Sequence, residues 1–161
     1  MLKQARGAWA AAALSALALP CTAQADPAPM VAAATPGQID GYRVLTDPVW
    51  GARASPSQLI GPKRFQPVPI PLRALPPLDL VIVSHDHYDH LDRASVVALN
   101  AKAQSEGSNT LFLVPLGQKP WFEDLGITHV VELDWWQKHT VRGVDFFLTP
   151  VQHWSARGVA D

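Results

Sequence analysis

The chain of 161 residues has a single cysteine, no marked excess of either charge and no long hydrophobic segment. One cysteine cannot form an internal disulfide, and it excludes a cysteine-rich zinc site. A formal net charge of −1 provides no electrostatic footprint for nucleic acid or an anionic membrane, so we expect no nucleic-acid partner. The longest apolar segment, Ala8–Leu19, is too short to span a bilayer as a helix, which needs about 20 residues.

The composition is nevertheless that of a folded protein. Hydrophobic residues make up 48% of the chain, which is enough to build a core and excludes wholesale disorder. At roughly 100–200 residues per domain, the length allows one domain. The 15 prolines outnumber the 10 glycines, and many of them cluster between Gly51 and Pro77. A segment of that length is typical of a functional or a disordered loop.

The first 25 residues have the pattern of a secretory signal peptide. Lys3 and Arg6 precede the apolar segment, and Ala23-Gln24-Ala25 fits the small-residue pattern of a cleavage site. We therefore expect residues 1–25 to be removed and the protein to be exported, to the bacterial periplasm or envelope. An uncleaved membrane anchor and a lipoprotein start at Cys21 are the alternatives.

Two further regions follow the predicted signal peptide. Residues 26–38 are rich in alanine and proline without periodicity, which predicts a disordered lead-in. Residues 39–161 then form the predicted folded domain. Cleavage would also remove Cys21, and a cysteine-free chain suits an oxidising compartment.

Strand and helix patterns alternate along this domain, which is typical of an α/β layer architecture. The segment Leu78–Ser84 is rich in β-branched apolar residues and predicts a strand buried on both faces. The other predicted strands are Tyr42–Thr46, Leu111–Pro115 and Ile127–Leu133, with a hairpin formed by Thr140–Val141 and Val144–Thr149. The predicted helices are one capped by Asp92 that ends near Gly107, and Gln118–Leu125 closed by Gly126.

Three histidines and two aspartates stand within six residues directly after the buried strand, in His85-Asp86-His87-Tyr88-Asp89-His90. In an extended stretch, residues i and i+2 point the same way, so His85 and His87 can bind one cation together. A turn at Tyr88 would bring Asp89 and His90 toward a second cation. Imidazole and carboxylate are ligands for zinc and also suit iron or manganese. The alternative is a polar turn with chance histidines.

A third imidazole for the first cation is predicted to come from His153. This residue lies just beyond the last predicted strand, in Thr149-Pro150-Val151-Gln152-His153-Trp154. A lone histidine is more often a surface or core residue, but a pair of histidine ligands needs a third nitrogen. His129 and His139 lie on strand-like stretches without acidic neighbours, and we expect them to be structural.

The motif His85-x-His87-x-Asp89-His90 after a buried strand resembles the signature of the metallo-β-lactamase fold. The surrounding sequence, from about Asp40 to about Arg157, is similar to the N-acyl-phosphatidylethanolamine phospholipase D group and its bacterial relatives. The other segments that carry this resemblance are Leu45-Thr46-Asp47-Pro48, Arg53-Ala54-Ser55-Pro56, Gly61-Pro62-Lys63-Arg64-Phe65, Glu132-Leu133-Asp134-Trp135-Trp136 and Thr149-Pro150-x-Gln152-His153-Trp154.

The resemblance implies an αββα sandwich, of which this chain holds chiefly the N-terminal half, and a di-zinc hydrolase that cleaves a phosphodiester. By position, the first zinc would be held by three histidines and the second by an aspartate and a histidine. These implied ligands are His85, His87 and His153 for the first zinc, and Asp89 and His90 for the second.

Two aspartates have implied roles beside the metals, each with a simpler alternative. Asp86 would lie next to the ligands and could move a proton, or it could only form the turn. Asp47 would orient the ligand loop, or it could only end its strand in an Asp-Pro turn.

The sequence departs from the family pattern in two ways. The family has a bridging aspartate in a Gly-Asp-Thr segment and a further histidine, both of which would lie beyond Asp161. The alanine- and proline-rich lead-in also stands where the family has a Gly-His strand. We therefore expect a truncated chain, and two alternatives to the phosphodiesterase: a non-catalytic zinc-binding remnant or half-domain needing a partner, and a metallo-hydrolase of another ester, a lactone or a β-lactam.

The expected substrate is a small molecule or a phospholipid. The sequence allows contact with a membrane surface, and it does not indicate the oligomeric state. The tryptophans could form a lipid-facing rim, although aromatic residues more often fill cores or cover loops. The tryptophans concerned are Trp50, Trp121, Trp135, Trp136 and Trp154. The basic residues of the proline-rich segment could bind a phosphate or could form a solvated face. They are Arg53, Lys63, Arg64 and Arg73.

Overall fold

The computed structural model describes residues 37–39, 41–155 and 157. These residues form a five-stranded sheet, a separate hairpin, two α-helices and one 3₁₀ turn. The strands are β1 (Gly37–Ile39), β2 (Tyr42–Thr46), β3 (Leu80–Ile82), β4 (Leu111–Pro115), β5 (Val130–Leu133), β6 (Lys138–Val141) and β7 (Val144–Phe147). The helices are α1 (Arg93–Ser105) and α2 (Lys119–Asp124), and the 3₁₀ turn is Leu72–Ala74. In these ranges no helix has the length and apolar character needed to cross a membrane.

The sheet is parallel except at one edge. Strands β2, β3, β4 and β5 lie side by side in that order, and β1 pairs antiparallel with β2. Parallel neighbours need crossover connections, which are supplied here by the proline-rich segment, by α1 and by α2. The predicted mixed α/β architecture is thereby confirmed.

One face of the sheet packs against the helices. Leu45, Val81 and Phe112 lie in register on β2, β3 and β4, and all three are fully buried. They pack with Val96 of α1 and Phe122 of α2, which are fully buried as well. This is the larger hydrophobic core, and it holds both crossover helices on one side of the sheet.

The opposite face packs against the hairpin. Val44, Leu80 and Leu111 stand one residue earlier on the same three strands, so they point to the other side. Val144 and Phe146 of β7 cover them to form a second core. The order of helices, sheet and hairpin agrees with one half of the expected sandwich.

The proline-rich segment after β2 is fastened by side chains that donate to backbone carbonyls. Arg53 Nη1 donates to the carbonyl of Gly61 over 2.6 Å, and Arg64 Nη2 donates to that of Val49 over 2.7 Å. Trp50 Nε1 donates to the carbonyl of Ile70 over 2.9 Å. Two of the four basic residues considered for phosphate binding therefore have a structural role in ordering the segment.

The helix start at Asp92 is confirmed. Its side chain accepts a hydrogen bond from the Ser95 amide over 3.1 Å, which satisfies one of the free donors of the first turn. Ser95 Oγ in turn accepts from the Trp50 amide over 2.7 Å. The cap thus also joins α1 to the segment that follows β2.

The N-terminal predictions lie mostly outside the described residues. The predicted signal peptide, residues 1–25, is entirely outside them, so it and the expected export stay predictions. Of the predicted lead-in, residues 26–38, only Gly37 and Gln38 are described, and they begin β1. Strand β1 pairs with β2 through backbone hydrogen bonds, and amino-acid composition does not reveal such bonds.

The larger core predicts a strong effect of Phe112→Ala. Phe112 is fully buried and its ring lies 5.5 Å from that of Phe122, so truncation removes apolar contact and leaves a cavity. We expect a loss of about 3–5 kcal/mol in the free energy of unfolding, measured by urea denaturation.

The matched control is Phe65→Ala, because Phe65 is 87% exposed. We expect this control to stay within about 0.5 kcal/mol of the wild-type value. Equal unfolding midpoints for the two variants would contradict the assignment of Phe112 to the core.

Candidate metal centre

The polar residues of the motif gather at the carboxyl ends of the parallel strands. Asp47 directly follows β2, and Ser84 and His85 follow β3 after one further residue. A third segment, residues 149–155, leaves β7 and brings His153 to the same edge. In open α/β sheets, ligands bind in the crevice outside these strand ends. The topology therefore brings residues far apart in the sequence to one place.

Asp47 joins the ends of the two strands. Its amide donates to the carbonyl of Ile82 over 2.8 Å. Its buried carboxylate accepts from the amide of Ser84 over 2.7 Å and from the hydroxyl of Ser84 over 2.9 Å. The same carboxylate lies 3.0 Å from Nδ1 of His90. Asp47 thus contacts the residue before the histidine motif and the last residue of the motif.

We assign the ring protons of His85 and His90 from these contacts. A carboxylate only accepts, so Nδ1 of His90 is the donor to Asp47. The single hydroxyl proton of Ser84 goes to Asp47, so Ser84 Oγ accepts from Nδ1 of His85 over 2.9 Å. In the neutral form of both rings, Nε2 then keeps its lone pair, which is the state that a metal ligand needs.

Three histidines form the first candidate ligand set. His85, His87 and His153 each offer one atom, and these atoms lie within 4.8 Å of one another. Nε2 of His153 is 2.9 Å from Nδ1 of His87. Nε2 of His87 is buried and has no hydrogen-bond partner among the described residues. The first set therefore unites two separate segments of the chain around closely spaced nitrogens.

The second candidate set consists of His85, Asp89 and His90, again with ligand atoms within 4.8 Å. Asp89 Oδ2 lies 3.6 Å from Nε2 of His90. His85 belongs to both sets, whereas the resemblance implied that it would serve only the first metal. The structure thus brings together all five expected ligands and places His85 between the two groups.

The electrostatics of the cluster favour neutral imidazole at His85. Burial lowers the pKa of His85 to about 4, and the neighbouring rings of His90, His153 and His87 act in the same direction against the weaker effect of Asp47. His85 is therefore neutral at pH 7. A neutral imidazole at His85 beside the carboxylate of Asp89 fits a divalent cation such as zinc, iron or manganese.

His90 is affected in the opposite direction. Burial opposes its charged form, but the hydrogen bond and charge of Asp47 together with the charge of Asp89 outweigh burial and raise the pKa of His90. The two neighbouring imidazoles thus differ because only one of them contacts a carboxylate directly.

Asp86 is buried beside the cluster and is bound by the segment that follows His153. The hydroxyl of Ser155 donates to Asp86 Oδ2, and Nε of Arg157 donates to the carbonyl of Asp86 over 2.6 Å. Sequence reasoning missed Ser84, Ser155 and Arg157, because none belongs to a ligand type. Their positions directly before His85 and shortly after His153 are the signal that could have identified them.

A cavity of about 200 Å³ opens beside His85 and His153. Much of its wall is apolar, with Leu116, Leu148 and Trp154 among the lining residues. Trp135 also lines the cavity and is 61% exposed. An apolar cavity next to a polar cluster is the usual form of a small-molecule site.

The tryptophans fall into two groups. Trp50 and Trp121 pack against the larger core, as expected. Trp135, Trp136 and Trp154 are 61%, 70% and 69% exposed, so these three do not fill a core. They lie in loops at or beside the edge that carries the histidines, where neither core covers them.

A larger cavity of about 520 Å³ lies at the amino ends of the strands, away from the histidine clusters. His129 and His139 are among its lining residues, and Nδ1 of His129 is 3.0 Å from the carbonyl of Thr110. Neither histidine belongs to a candidate ligand set. The structural role expected for both stays a prediction.

Curated proteins of three organisms are similar to about three quarters of this chain. The N-acyl-phosphatidylethanolamine-hydrolyzing phospholipase D 1 of Caenorhabditis elegans is 38% identical over 133 residues, covering 76% of this chain and 36% of that protein. The mitochondrial N-acyl-phosphatidylethanolamine-hydrolyzing phospholipase D of Saccharomyces cerevisiae is 34% identical over 126 residues, covering 76% and 26%. An uncharacterized protein of Mycobacterium tuberculosis is 48% identical over 122 residues, covering 74% and 32%.

The chain thus spans between 26% and 36% of the length of these curated relatives. Residues 42–161 match the family model described as a beta-lactamase superfamily domain. This match begins at β2 and includes the whole histidine motif and His153. The chain therefore belongs to the beta-lactamase superfamily and has the metallo-β-lactamase type of fold, as the motif after β3 predicted.

Proposed function

We propose that this chain is part of a metal-dependent hydrolase that cleaves a phosphodiester bond in a phospholipid of the N-acyl-phosphatidylethanolamine class. The observation that carries the proposal is the convergence of two overlapping ligand sets at the strand ends. The names of the worm and yeast relatives support the reaction and the substrate class.

The proposed metal is zinc, with iron or manganese compatible with the same donors. His85, His87 and His153 would hold one ion, and Asp89 and His90 would hold a second. Divalent ions at such a site supply Lewis-acid chemistry that polarises a phosphoryl oxygen.

The remaining residues of the site would hold the ligands and the substrate. Asp47 and Ser84 fix the orientation of the His85 and His90 rings through hydrogen bonds. The apolar cavity beside His153 offers a surface for the hydrocarbon part of a lipid. The proton-transfer role expected for Asp86 stays a prediction. In this structure, Oδ2 of Asp86 accepts a hydrogen bond from the hydroxyl of Ser155.

Exposed aromatic residues beside the site support contact with a lipid surface. Tryptophan is enriched at membrane interfaces because its ring is apolar and its N–H is polar. Trp135, Trp136 and Trp154 are all exposed near the histidine edge. Membrane-surface contact is therefore part of the proposal.

The ligand sets predict that His87→Ala weakens zinc binding by about 100-fold or more, because it removes one of three nitrogens from the first set. Zinc affinity is measured by competition with a chromophoric chelator, and stoichiometry by metal analysis. The matched control is His139→Ala, since His139 lies on β6 outside both sets. Equal affinities for the two variants would rule out the first set as a metal site.

The hydrogen bonds of Asp47 predict an indirect effect on zinc affinity. Asp47→Asn keeps the shape, and asparagine tolerates the positive φ of 45° at this position. It removes the carboxylate that receives Nδ1–H of His90, so we expect zinc affinity to fall about 10- to 100-fold. The control is Asp145→Asn on β7, which pairs with Lys138 and belongs to neither ligand set. An Asp47 variant with that control's affinity would contradict the assigned role.

The proposed reaction predicts that the zinc-loaded chain hydrolyses bis-p-nitrophenyl phosphate and releases phosphatidic acid from N-acyl-phosphatidylethanolamine in mixed vesicles. His87→Ala is expected to lower both rates about 100-fold or more, because it removes a ligand. Hydrolysis of bis-p-nitrophenyl phosphate is followed by the absorbance of p-nitrophenol, and release of phosphatidic acid is followed by mass spectrometry.

The rival functions give different results in the same assay. One bound zinc ion or none, without turnover of either phosphodiester, would indicate a non-catalytic remnant or a half-domain that needs a partner. Turnover of a lactone or of the β-lactam nitrocefin, with neither phosphodiester cleaved, would replace the proposed substrate class.

A further inference from the structure

Arg157 lies between two aromatic rings at the edge of the metal centre. Its guanidinium carbon is 4.6 Å from the centre of the Tyr88 ring and 4.8 Å from that of the Trp121 ring. Contacts at these distances between a cation and a ring face are attractive. Tyr88 belongs to the histidine motif and Trp121 to α2, so Arg157 joins the ligand loop to the helix layer.

The same guanidinium donates to two backbone carbonyls. Nε donates to the carbonyl of Asp86 over 2.6 Å, and Nη2 donates to that of Leu91. Three of the candidate ligands, His87, Asp89 and His90, lie between these two carbonyls in the sequence. Arg157 therefore holds the loop at both of its ends.

Backbone hydrogen bonds within the ligand loop form a tight turn at its centre. The amides of His90 and Leu91 both donate to the carbonyl of His87, over 2.9 Å and 2.7 Å. The carbonyls of Asp86 and Leu91, two buried residues, accept instead from Arg157, and buried carbonyls need such donors. A planar guanidinium can serve both carbonyls at once, whereas the ammonium of lysine has no such fixed fork.

The segment that carries Arg157 also carries a candidate ligand. His153 precedes it by four residues, and between them Ser155 donates its hydroxyl to Asp86 Oδ2. Two side chains of this segment thus contact the ligand loop at Asp86. The position of His153 relative to His87 is linked to these contacts.

We propose that Arg157 is a positioning residue of the metal centre. Its guanidinium holds residues 85–91 in the ligand-binding conformation and holds the segment of His153 against them. The metal-binding consequence rests on the proposed function, whereas the ordering of the loop does not.

The test uses the full chain with Arg157→Lys and Arg157→Ala. The matched controls are Arg142→Lys and Arg142→Ala. Arg142 also lies over an aromatic ring, 5.2 Å from that of Tyr42, and pairs with Asp79 over 3.3 Å. It lines the cavity at the amino ends of the strands and contacts no candidate ligand.

In the metal-free protein, we expect both Arg157 variants to speed hydrogen exchange of the His90 and Leu91 amides at least about 10-fold, with α1 and β4 unchanged. Zinc affinity should fall about 10- to 100-fold, and the absorption bands of the cobalt-loaded protein should shift. A variant that only lowered global stability would change exchange throughout the chain and would leave the cobalt spectrum unaltered.

The proposal is overturned if the Arg157 variants match the Arg142 controls in loop exchange and zinc affinity, or if lysine restores both fully. Should Arg157→Ala fail to fold by circular dichroism, Arg157→Lys decides. Absence of zinc binding by the wild-type chain would instead defeat the proposed function, and exchange in the metal-free protein would still decide the role of Arg157.

Discussion

A buried carboxylate at the ends of two parallel strands organises the candidate metal centre. Burying a charge is costly unless hydrogen bonds replace the lost water. The oxygens of Asp47 therefore depend on the amide and hydroxyl of Ser84 and on Nδ1 of His90. These donors are His90 of the histidine motif and Ser84, which directly precedes the motif and contacts His85. The hydrogen bonds that make the buried charge of Asp47 tolerable therefore also orient His85 and His90.

The backbone at Asp47 makes this arrangement possible. Its φ of 45° lies in the left-handed region, which aspartate adopts more readily than most residues. The amide still donates to the carbonyl of Ile82, so the chain keeps its contact with β3 while it turns away from the sheet. The geometry of the candidate ligands thus depends on the register of β2 and β3.

The position of His153 depends on the second core. His153 follows the hairpin, and the hairpin is held by Val144 and Phe146 against the sheet. Tyr42 adds a hydrogen bond from its hydroxyl to the carbonyl of Val141 over 3.0 Å. The position of the histidine motif therefore depends on the face of the sheet that packs against the helices, and the position of His153 depends on the opposite face. Both faces must pack correctly for the nitrogens of His87 and His153 to lie close together.

Much of the architecture and the residue types of the site were predictable because their signals are local. The spacing of His85 and His87, the apolar strand before them and the cap at Asp92 are patterns within a few residues. The exposure of Trp135, the binding of Arg64 to backbone carbonyls and the pairing of β1 were not predictable. They depend on which distant segments cover a side chain or accept its hydrogen bonds, and the pattern of a single sequence does not contain that information.

The sequence by itself therefore determined the chemistry: imidazole and carboxylate ligands after a buried strand, and the family to which the chain belongs. Only the tertiary structure decided how these groups cooperate. It placed His85 in both candidate ligand sets and brought Asp47 and Ser84 into hydrogen bonds with the histidine rings. It also brought Arg157 into contact with the backbone of the histidine motif. The reason is physical, since ligand type is a property of each residue whereas orientation depends on hydrogen bonds between segments that meet only when the sheet and both cores have formed.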